Sequence, residues 1–376
     1  MRPKFDVAIV GAGLAGLSLA VRLAALPNPP SMILIDSRED YSLDHIWCHW
    51  GGSSHPFENC ITHRWPKWTV GMANNFTTYE DSRQPYQRIP ADRLYDEAHR
   101  LLGNSEKVLW KLGVEVSSIV SRSEEATVVC ADGQEFDVGE VFDSRPLPHH
   151  FSGWSQRFYG LEVRLSGPLK NVDCAKLMDF QSAGPEGIRF FYVLPLGSNS
   201  VFVEDTWFVP AEKNPEFSDQ LVFEYIEATY GDTVEAVTHR ENGLIPMSRF
   251  PYGEPQKHVT LIGTRGGAVR ASSGYAFTRI QLQSDALSAS FMSGEIRLNL
   301  LRVLDYFDSI FLEVLSKYPE RMPQYFELLF SRVSSVRLTR FMESRPTFFD
   351  LVAIMLSLPT WPFLMAAFRN FLTRPL

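Results

Sequence analysis

The chain has 376 residues and a formal net charge of −8 at pH 7. That length exceeds what one compact core usually holds, so we expect two closely joined domains. The acidic balance argues against general nucleic-acid binding, which needs a basic surface. The 13% aromatic content suits a large apolar or planar ligand, although a bulky core explains it equally well.

The cysteines indicate the compartment. Cys48, Cys60, Cys130 and Cys174 are scattered, without a CxxC pair or metal-ligand spacing. We therefore expect neither a disulfide framework nor a metal site, and a reducing cytoplasm is the default location. The first residues show no signal-peptide pattern, so we expect structure to begin with the first strand.

The first predicted elements form a βαβ unit. Residues 6–10 have the pattern of a buried parallel strand, residues 14–25 that of a helix of small and apolar residues, and residues 32–35 that of a second buried strand. A strand, a glycine-rich turn, a helix and a second strand in this order are the start of a doubly wound α/β domain. We therefore predict a Rossmann-type dinucleotide-binding fold.

The turn of this unit carries a dinucleotide signature, Gly11-Ala12-Gly13-Leu14-Ala15-Gly16. Gly11 permits the tight turn, Gly13 lets the backbone approach a pyrophosphate, and Gly16 allows close packing of helix and strand. The N-terminus of the helix then offers free N–H groups and a positive dipole end to the phosphates. Asp36 ends the second strand, where its carboxylate is placed to accept hydrogen bonds from ribose hydroxyls.

The later elements change from mixed to strand-rich and then to helical. Residues 90–102 are predicted to be helical, and residues 114–120, 126–129 and 141–143 to be strands. Residues 151–209 are strand-rich, and a turn between residues 190–194 and 200–204 predicts a hairpin. A buried strand at residues 258–262 precedes a glycine-rich turn, and the chain is mainly helical from residue 280 onward.

The identity of the dinucleotide follows from where the motifs stand. A signature within the first residues, with a distant return to a glycine-rich strand end, is more typical of FAD enzymes than of nicotinamide dehydrogenases. Arg93 stands at the start of a predicted helix, far along the chain from the glycine signature. Many such enzymes have an arginine in this position that is directed at the flavin phosphates. A surface arginine is the alternative for this residue.

Several segments between residues 5 and 287 resemble the bacterial lycopene β-cyclases, flavoproteins that close rings at the ends of a linear carotenoid. In chain order they are His45-Ile46-Trp47-Cys48-His49-Trp50, Val141-Phe142-Asp143-Ser144-Arg145-Pro146, Leu177-Met178-Asp179-Phe180 with Phe190-Phe191-Tyr192-Val193-Leu194-Pro195, Phe202-Val203-Glu204-Asp205-Thr206, Gly243-Leu244-Ile245-Pro246-Met247, and Ile262-Gly263-Thr264-Arg265-Gly266-Gly267 with Ala271-Ser272-Ser273-Gly274-Tyr275. Their shared order makes the resemblance specific.

The resemblance implies bound FAD, with NAD(P)H as the reductant of the flavin. The signature and the resemblance together predict the FAD-binding residues Gly11, Gly13, Leu14, Ala15, Gly16, Asp36, Arg93, Val116, Asp143, Gly263, Gly267 and Gly274. Thr264 departs from the pattern, because most flavoproteins of this fold carry a Gly-Asp pair there. His45 and His49 also differ from residues that are common in the cyclases.

The implied reaction is the cyclisation of the ψ end groups of lycopene to β-ionone rings, with no net redox change. Such a reaction needs a carboxylic acid that an apolar site keeps protonated. Glu204 matches the family's acidic signature and is predicted to be the proton donor, while reduced FAD supplies negative charge near the carbocation. Asp205 is included in the catalytic set, although strand alternation turns only one of the two toward the site. Without the resemblance, both would mark a solvated strand end.

Glu162 also matches an acidic position of the family. It is predicted to take the departing proton or to orient Glu204. Aromatic residues are expected to form the wall that faces the cation, unless they only pack the core; they are Trp47, Trp50, Phe190 and Tyr192.

The C-terminal segment predicts a membrane contact. Residues 351–368 contain no charged residue, but Pro359 and Pro362 interrupt a span through hydrocarbon. Residues 331–376 carry six arginines and two acidic residues, a net charge of +4. We therefore expect a monotopic anchor on the cytoplasmic side of the membrane, which suits a carotenoid dissolved in lipid. A buried C-terminal helix pair is the alternative.

The predicted domains interleave. Residues 1–75, 86–148 and 256–300 are assigned to the FAD-binding domain, residues 76–85 and 149–255 to a β-sheet substrate domain, and residues 301–376 to a helical, membrane-facing region. An FAD-dependent monooxygenase or reductase acting on an isoprenoid or aromatic substrate is one rival. A binding module like the GDP-dissociation inhibitors is the other, but such modules lose the flavin, and the intact glycine signature argues against it.

Overall fold

The computed structural model describes residues 2–42, 44–73, 75–103, 105–145, 152–248, 256–293 and 302–372. The strands are β1 (Lys4–Val10), β2 (Met32–Ile35), β3 (Ile46–Trp50), β4 (His63–Trp65), β5 (Lys67–Met72), β6 (Asn75–Glu80), β7 (Tyr86–Pro90), β8 (Val108–Lys111), β9 (Val116–Ser121), β10 (Ala126–Cys130), β11 (Glu135–Asp143), β12 (Trp154–Leu165), β13 (Cys174–Gly184), β14 (Gly187–Pro195), β15 (Ser200–Pro210), β16 (Val234–Met247) and β17 (Val259–Leu261). The helices are α1 (Leu14–Ala24), α2 (Ala91–Leu102), α3 (Asp219–Tyr230), α4 (Phe277–Ser293), α5 (Arg302–Lys317), α6 (Met322–Arg332), α7 (Ser335–Met342), α8 (Phe348–Ser357) and α9 (Thr360–Leu372).

The first sheet has the strand order β8-β2-β1-β11-β10-β9, with β17 beside β11. The pairs β8–β2, β2–β1, β1–β11 and β11–β17 are parallel, and β10 runs antiparallel to both of its neighbours. Val7 and Ile9 of β1 pack with Leu17 of α1 on one face, whereas Ala8 and Val10 enter the core on the other. Because an apolar core covers each face of the sheet, every side chain from Val7 to Val10 of β1 is apolar. The predicted Rossmann-type α/β fold is confirmed.

The second sheet has the order β16-β12-β15-β14-β13-β5-β6. Its pairs are antiparallel except β13–β5. Helix α3 covers one face, where Val222 and Ile226 pack against apolar side chains of β12, β14 and β15. Helices α5 to α9 contribute to the core of the other face, through residues that include Val314, Tyr325 and Ile354.

A small third sheet, β3-β7-β4, links the two cores. Ile89 of β7 belongs to the core beneath the first sheet, while Trp50, Trp65 and Tyr86 belong to the core of the second. The side chains that alternate along β3 and β7 therefore reach two different cores. This places the third sheet between the nucleotide signature and the face of the second sheet that α5 to α9 cover.

The predicted elements of the first sheet, the hairpin formed by β14 and β15, and the helical C-terminal part are all present. Pro362 lies in the first turn of α9 instead of interrupting it, since a proline in a first turn removes no intrahelical hydrogen bond. Strand β5, in a segment predicted to be part of the FAD-binding domain, pairs with the second sheet. Pro146 and the predicted boundaries at residues 148, 255 and 300 lie outside the described residues.

Candidate active site

The glycine-rich turn between β1 and α1 has the shape that a pyrophosphate needs. Gly11 has a φ of 90°, which disfavours any residue with a side chain, and a Cβ at Gly16 would overlap the carbonyl oxygen of Gly11. Gly13 precedes α1 and carries no side chain, and no described side chain caps this helix. The first N–H groups of α1 are therefore open to an anion.

The carboxylate of Asp36 closes the other side of this turn. It accepts hydrogen bonds from the backbone N–H of Ala12 at 2.7 Å and of Arg38 at 2.8 Å. The Arg38 guanidinium also binds it and lies over the ring of Tyr41. The Arg38 hydrogen bonds lower the pKa of Asp36 against the effect of its burial. Asp36 is thus ionised and oriented where a ribose acceptor is needed.

The other predicted FAD-binding residues lie in three further parts of the structure: the connection from β17 to α4, the strands β9 and β11, and the first turn of α2. Gly263 follows β17 and would contact Ala15 if it had a Cβ. Gly267 and Gly274 adopt positive φ angles in the connection from β17 to α4. Asp143 ends β11 and binds Arg145 and Arg265, while the carbonyl of Val116 accepts a hydrogen bond from Arg145. Arg93 is exposed in the first turn of α2.

A cavity of about 1060 Å³ lies between this connection, the second sheet and the C-terminal helices. Thr264 and Gly274 line it on the nucleotide side. Aromatic side chains form much of its wall, and they include Trp47, Trp50, Tyr86, Phe158, Phe190, Tyr192, Phe202, Phe208, Tyr275 and Phe311. All four aromatic residues that the sequence predicted for the wall are among them. A cavity of this size and character fits a long apolar ligand.

Glu204 is a buried acidic group in this apolar wall. The side chain is buried at 8% exposure and lines the cavity. Among the described residues, the Thr206 hydroxyl donates the one hydrogen bond that the carboxyl group of Glu204 accepts, at 2.6 Å. Burial, together with the nearby charge of Glu241, raises the pKa of Glu204 to about 8. The carboxyl group is therefore mainly protonated at neutral pH.

Glu204 belongs to a row of cross-strand neighbours. Gly160 of β12 lies opposite Glu204 of β15 on one side and opposite Glu241 of β16 on the other. Glu241 is buried and lines the same cavity. The Phe202 ring lies over Gly160, 2.5 Å from where a Cβ would stand. The missing side chain at Gly160 thus gives this ring its place between the two carboxyl groups.

The other two residues of the predicted catalytic set lie elsewhere. Asp205 points to the opposite face of β15, as alternation requires, and binds Arg189 through two hydrogen bonds of 2.9 Å. Glu162 forms an ion pair of 2.8 Å with Arg88. Neither residue is part of the cavity lining. Of the three, the structure brings only Glu204 to the cavity.

Tyrosine hydroxyl groups form a polar chain within the apolar wall. The hydroxyl of Tyr192 lies 3.0 Å from that of Tyr86, which in turn lies 2.9 Å from that of Tyr275. Burial raises the pKa of each of these phenols above its ordinary value, so they remain neutral. Their hydrogen bonds satisfy one another, and their ring faces remain available to a cation.

The C-terminal helices carry the mouth of the cavity. Met355, Leu356 and Leu364 line the cavity and are also exposed to solvent. Around them lies an exposed apolar patch on α8 and α9, which we call the α8–α9 patch; it consists of Phe348, Phe349, Met355, Leu356, Trp361, Leu364, Phe368, Phe371 and Leu372. Across the described ranges, no helix is long and apolar enough to cross a membrane.

Sequence reasoning missed several of these groups. Glu241 stands in a segment without an acidic signature of its own, and only the pairing of β16 with β12 places it beside Glu204. Tyr86 and Tyr275 come from separate parts of the chain and meet through the third sheet. The aromatic composition and the segment around Tyr275 were the only signals. Neither indicated that the two hydroxyl groups touch.

Comparisons with known proteins identify the family to which the whole sequence is similar. The family model described as lycopene cyclase protein matches residues 6–368. The lycopene beta-cyclase of Pantoea ananas is 26% identical over 300 residues, which cover 77% of this chain and 75% of that protein.

Solved structures with similar folds are only distantly related in sequence. The geranylgeranyl bacteriochlorophyll reductase-like protein of Thermoplasma acidophilum has a TM-score of 0.60 at 10% identity, over 99% of this chain and 98% of its own. A flavoprotein/dehydrogenase from Cytophaga hutchinsonii has a TM-score of 0.60 at 12% identity, over 98% and 99%. At such identities the likeness concerns the fold, which is that of flavoproteins.

Proposed function

Because the chain belongs to the lycopene cyclase family, we propose that it converts the ψ end groups of lycopene to β-ionone rings without net redox change. The observation that carries this proposal is Glu204, a buried carboxyl group with a pKa of about 8 in the wall of a large aromatic cavity. Such a group is a proton donor at neutral pH. The products are γ-carotene after one ring and β-carotene after two.

In the proposed reaction, Glu204 adds its proton to the terminal double bond of the end group and leaves a tertiary cation. The next double bond attacks that cation and closes the ring. Loss of a ring proton then completes the β-ring, so one proton enters and one leaves. Phe202 and Tyr192 present π-electrons to the cation without adding to it covalently. The apolar wall excludes water, which would otherwise capture the cation.

We propose that the glycine-rich turn and Asp36 hold FAD, with Gly11, Gly13 and Gly16 at the pyrophosphate. The open N-terminus of α1 and the oriented carboxylate of Asp36 fit this cofactor. When bound and reduced, FAD would supply negative charge that stabilises the carbocation, and NAD(P)H would be its reductant. Leu14, Ala15, Val116, Asp143, Gly263, Gly267 and Gly274 remain in the proposed site. Exposed Arg93 has a place in it only if its side chain turns toward the phosphates.

The direct test of the activity is expression in a bacterium that accumulates lycopene, followed by chromatography of the pigments. Conversion to γ-carotene and β-carotene is expected. With purified protein in deuterated water, each new ring should gain one deuterium. A monooxygenase or reductase would instead consume NAD(P)H with each turnover, and that stoichiometry together with unchanged lycopene would contradict the proposal.

The cofactor is tested by the flavin content of the purified protein. We expect non-covalent FAD in the wild type and its loss in Gly13→Val, because a side chain there blocks the approach of the backbone to the pyrophosphate. The Gly197→Val variant is the control, since Gly197 lies in the turn between β14 and β15, where an added Cβ meets no atom within 4 Å. Equal flavin content in Gly13→Val and the wild type would show that the signature serves the fold alone.

We further propose that the α8–α9 patch docks on the cytoplasmic face of a membrane and that the carotenoid enters from lipid between α8 and α9. The exposed apolar side chains and the +4 charge of residues 331–376 support this. The mouth of the cavity lies within the patch, where Leu356 and Leu364 line it.

Sedimentation with anionic vesicles tests the docking surface. Replacing Leu356 and Trp361 together by Ser should reduce the bound fraction and slow cyclisation of lycopene held in the vesicles. Leu109→Ser is the control, because Leu109 is an exposed apolar residue on β8 of the first sheet, outside the α8–α9 patch. Equal sedimentation of the double variant and the wild type would contradict this orientation. The domain division predicted from the sequence remains part of the proposal, except that β5 is assigned to the second sheet.

A further inference from the structure

A second buried carboxyl group shares the cavity wall with Glu204. Glu241 of β16 lies across Gly160 from it, is only 6% exposed and lines the cavity. Its Oε2 atom is buried, and no described residue donates a hydrogen bond to it. A buried carboxyl oxygen without a partner is costly, which makes it a strong indication of a missing ligand or function.

The surroundings of the two carboxyl groups differ in a way that separates their roles. Glu204 is approached by a single neutral hydroxyl, that of Thr206. The Oε1 atom of Glu241 accepts the backbone N–H of Ile46 at 3.4 Å and lies 3.9 Å from Nδ1 of His45. The interaction with Glu241 raises the pKa of His45. A backbone N–H and an imidazole nitrogen thus face one oxygen of Glu241, and its other oxygen faces the cavity wall without a described donor.

The remaining acidic residue in the cavity wall is already neutralised. Asp308 accepts hydrogen bonds from the Arg270 guanidinium and from the Ser272 hydroxyl. Glu162, which the sequence favoured as a proton acceptor, is held by Arg88 away from the cavity. Among the described acidic side chains that line the cavity, Glu204 and Glu241 are therefore the two that no guanidinium binds.

We propose that Glu241 is the base of the reaction and that its position decides which ring isomer forms. This rests on the proposed cyclase function. After ring closure the positive charge lies on the ring carbon that bears a methyl group. Glu241 removes the proton from the neighbouring ring carbon attached to the polyene, and the electrons of that C–H bond form the β-ring double bond. Loss of a proton from the ring methylene would give an ε-ring instead.

The arrangement also returns the site to its starting state. One turnover leaves Glu204 as a carboxylate and Glu241 as the acid, so the two have exchanged one proton. Their strands are separated by β12 alone, which sets the backbones about 10 Å apart with no side chain at Gly160 between them. The Phe202 ring lies over Gly160 in this gap, so the proton returns through water that enters the cavity once the product leaves. No oxidant, reductant or external acid is consumed.

The test is the product pattern of Glu241→Gln, with the purified flavin-loaded protein and lycopene in vesicles. We expect β-ring formation to fall by about 10²-fold or more, the usual range for a lost general base. The rings that still form should include ε-rings or rings with an exocyclic double bond, because proton loss is no longer directed. Glu241→Asp keeps a carboxylate with shorter reach and should give a mixture of isomers at an intermediate rate.

Glu343→Gln is the matched control. Glu343 is a buried carboxyl group that contacts Trp50 and Thr278 but does not line the cavity, so this variant should form only β-rings. Wild-type rates and only β-rings from Glu241→Gln would overturn the inference and leave the proposed function intact. If Glu241→Gln fails to bind flavin, the same result from Glu241→Asp would overturn it. A wild type that leaves lycopene unchanged would overturn the proposed function itself.

Discussion

The second sheet buries acidic side chains on both of its faces, but it surrounds them differently. On the face covered by α3, Asp205 binds the Arg189 guanidinium through both oxygens, and Asp179 accepts hydrogen bonds from Lys176 and from the Tyr225 hydroxyl. On the cavity face, Glu204 has one hydroxyl for a partner and a second carboxyl group nearby.

Burial raises the pKa of both Glu204 and Asp205, and the neighbours decide the outcome. Arg189 opposes the effect of burial on Asp205, whereas Glu241 adds to the effect on Glu204. A paired carboxylate is a structural element, since its charge is neutralised in place. A buried carboxyl group without a cationic partner lowers the stability of the fold, and proteins keep such groups mainly at functional sites. The two faces of one strand thus separate a paired acid from the unpaired acid that we propose as the proton donor.

The strongest way to break this comparison is to remove each acid in turn. Glu204→Gln keeps the size and hydrogen-bonding capacity of the side chain but has no proton to transfer. We expect cyclisation to fall by more than the roughly 10²–10⁴-fold that is usual for a general acid, since no other acid starts the reaction. The rate is measured on flavin-loaded protein. Asp205→Asn should keep most of the activity per folded molecule.

Glu204→Asp completes this series, because it retains the proton and should retain part of the activity. A Glu204→Gln protein that forms β-carotene at nearly the wild-type rate would show that the unpaired carboxyl group is not the acid. Equal losses from Glu204→Gln and Asp205→Asn, at equal flavin content, would remove the distinction between the two faces.

The first sheet was easier to predict than the second. Strand β2 and the inner half of β1 are apolar, and the spacing of Gly11, Gly13 and Gly16 marks the turn between β1 and α1, so local sequence was sufficient for this unit. The second sheet is built from distant segments. Strands β5 and β6 are separated from the rest of that sheet by the chain between Glu80 and Trp154, and only tertiary pairing places them there.

The site shows the same division. Glu204 and the alternation that turns Asp205 away follow from one strand, and both were predicted from the sequence. The placement of Glu204 and Glu241 on either side of Gly160 depends on the register of β15, β12 and β16. Sequence periodicity does not determine such a register. For the same reason the sequence favoured Glu162, whose ion pair with Arg88 is formed across two sheets.

The second prediction concerns stability on the α3 face. Asp205→Asn removes one partner of an ion pair in which Asp205 is 1% and Arg189 21% exposed. The guanidinium loses its counter-charge, so we expect the free energy of unfolding to fall by about 3 kcal/mol, at the lower end for broken buried pairs. Denaturant unfolding measures it. Arg164→Gln, which breaks an ion pair with about half of each side chain exposed, is the control and should have little effect.

The third prediction is the alkaline limit of the activity. Glu204 donates a proton only while it is protonated, and its pKa is raised to about 8. The rate should therefore fall about tenfold per pH unit above that pH. Glu343→Gln should keep this limit, although the pKa of Glu343 is raised to about 7 by burial. A wild-type rate that stays constant up to pH 10 would contradict a carboxylic acid donor.

The smallest effect tests the single partner of Glu204. Thr206→Val keeps the shape of this buried side chain but removes the hydroxyl that donates to Oε1 of Glu204. That hydrogen bond lowers the pKa of Glu204, so its loss should raise the pKa and move the alkaline limit of the rate to higher pH. We expect a shift of about one pH unit or less, in line with roughly 1 kcal/mol for one hydrogen bond.

Thr69→Val is the matched control for this shift. Thr69 is a buried threonine of the same sheet whose hydroxyl donates to the carbonyl of Thr77, away from the cavity. It should lower stability slightly and leave the alkaline limit where it is. A merely structural role for Thr206 would likewise change stability without moving the limit. If the alkaline limit of the rate stays fixed in Thr206→Val or moves to lower pH, the group that titrates is not Glu204. The difference between the two faces of the sheet would then not identify the proton donor.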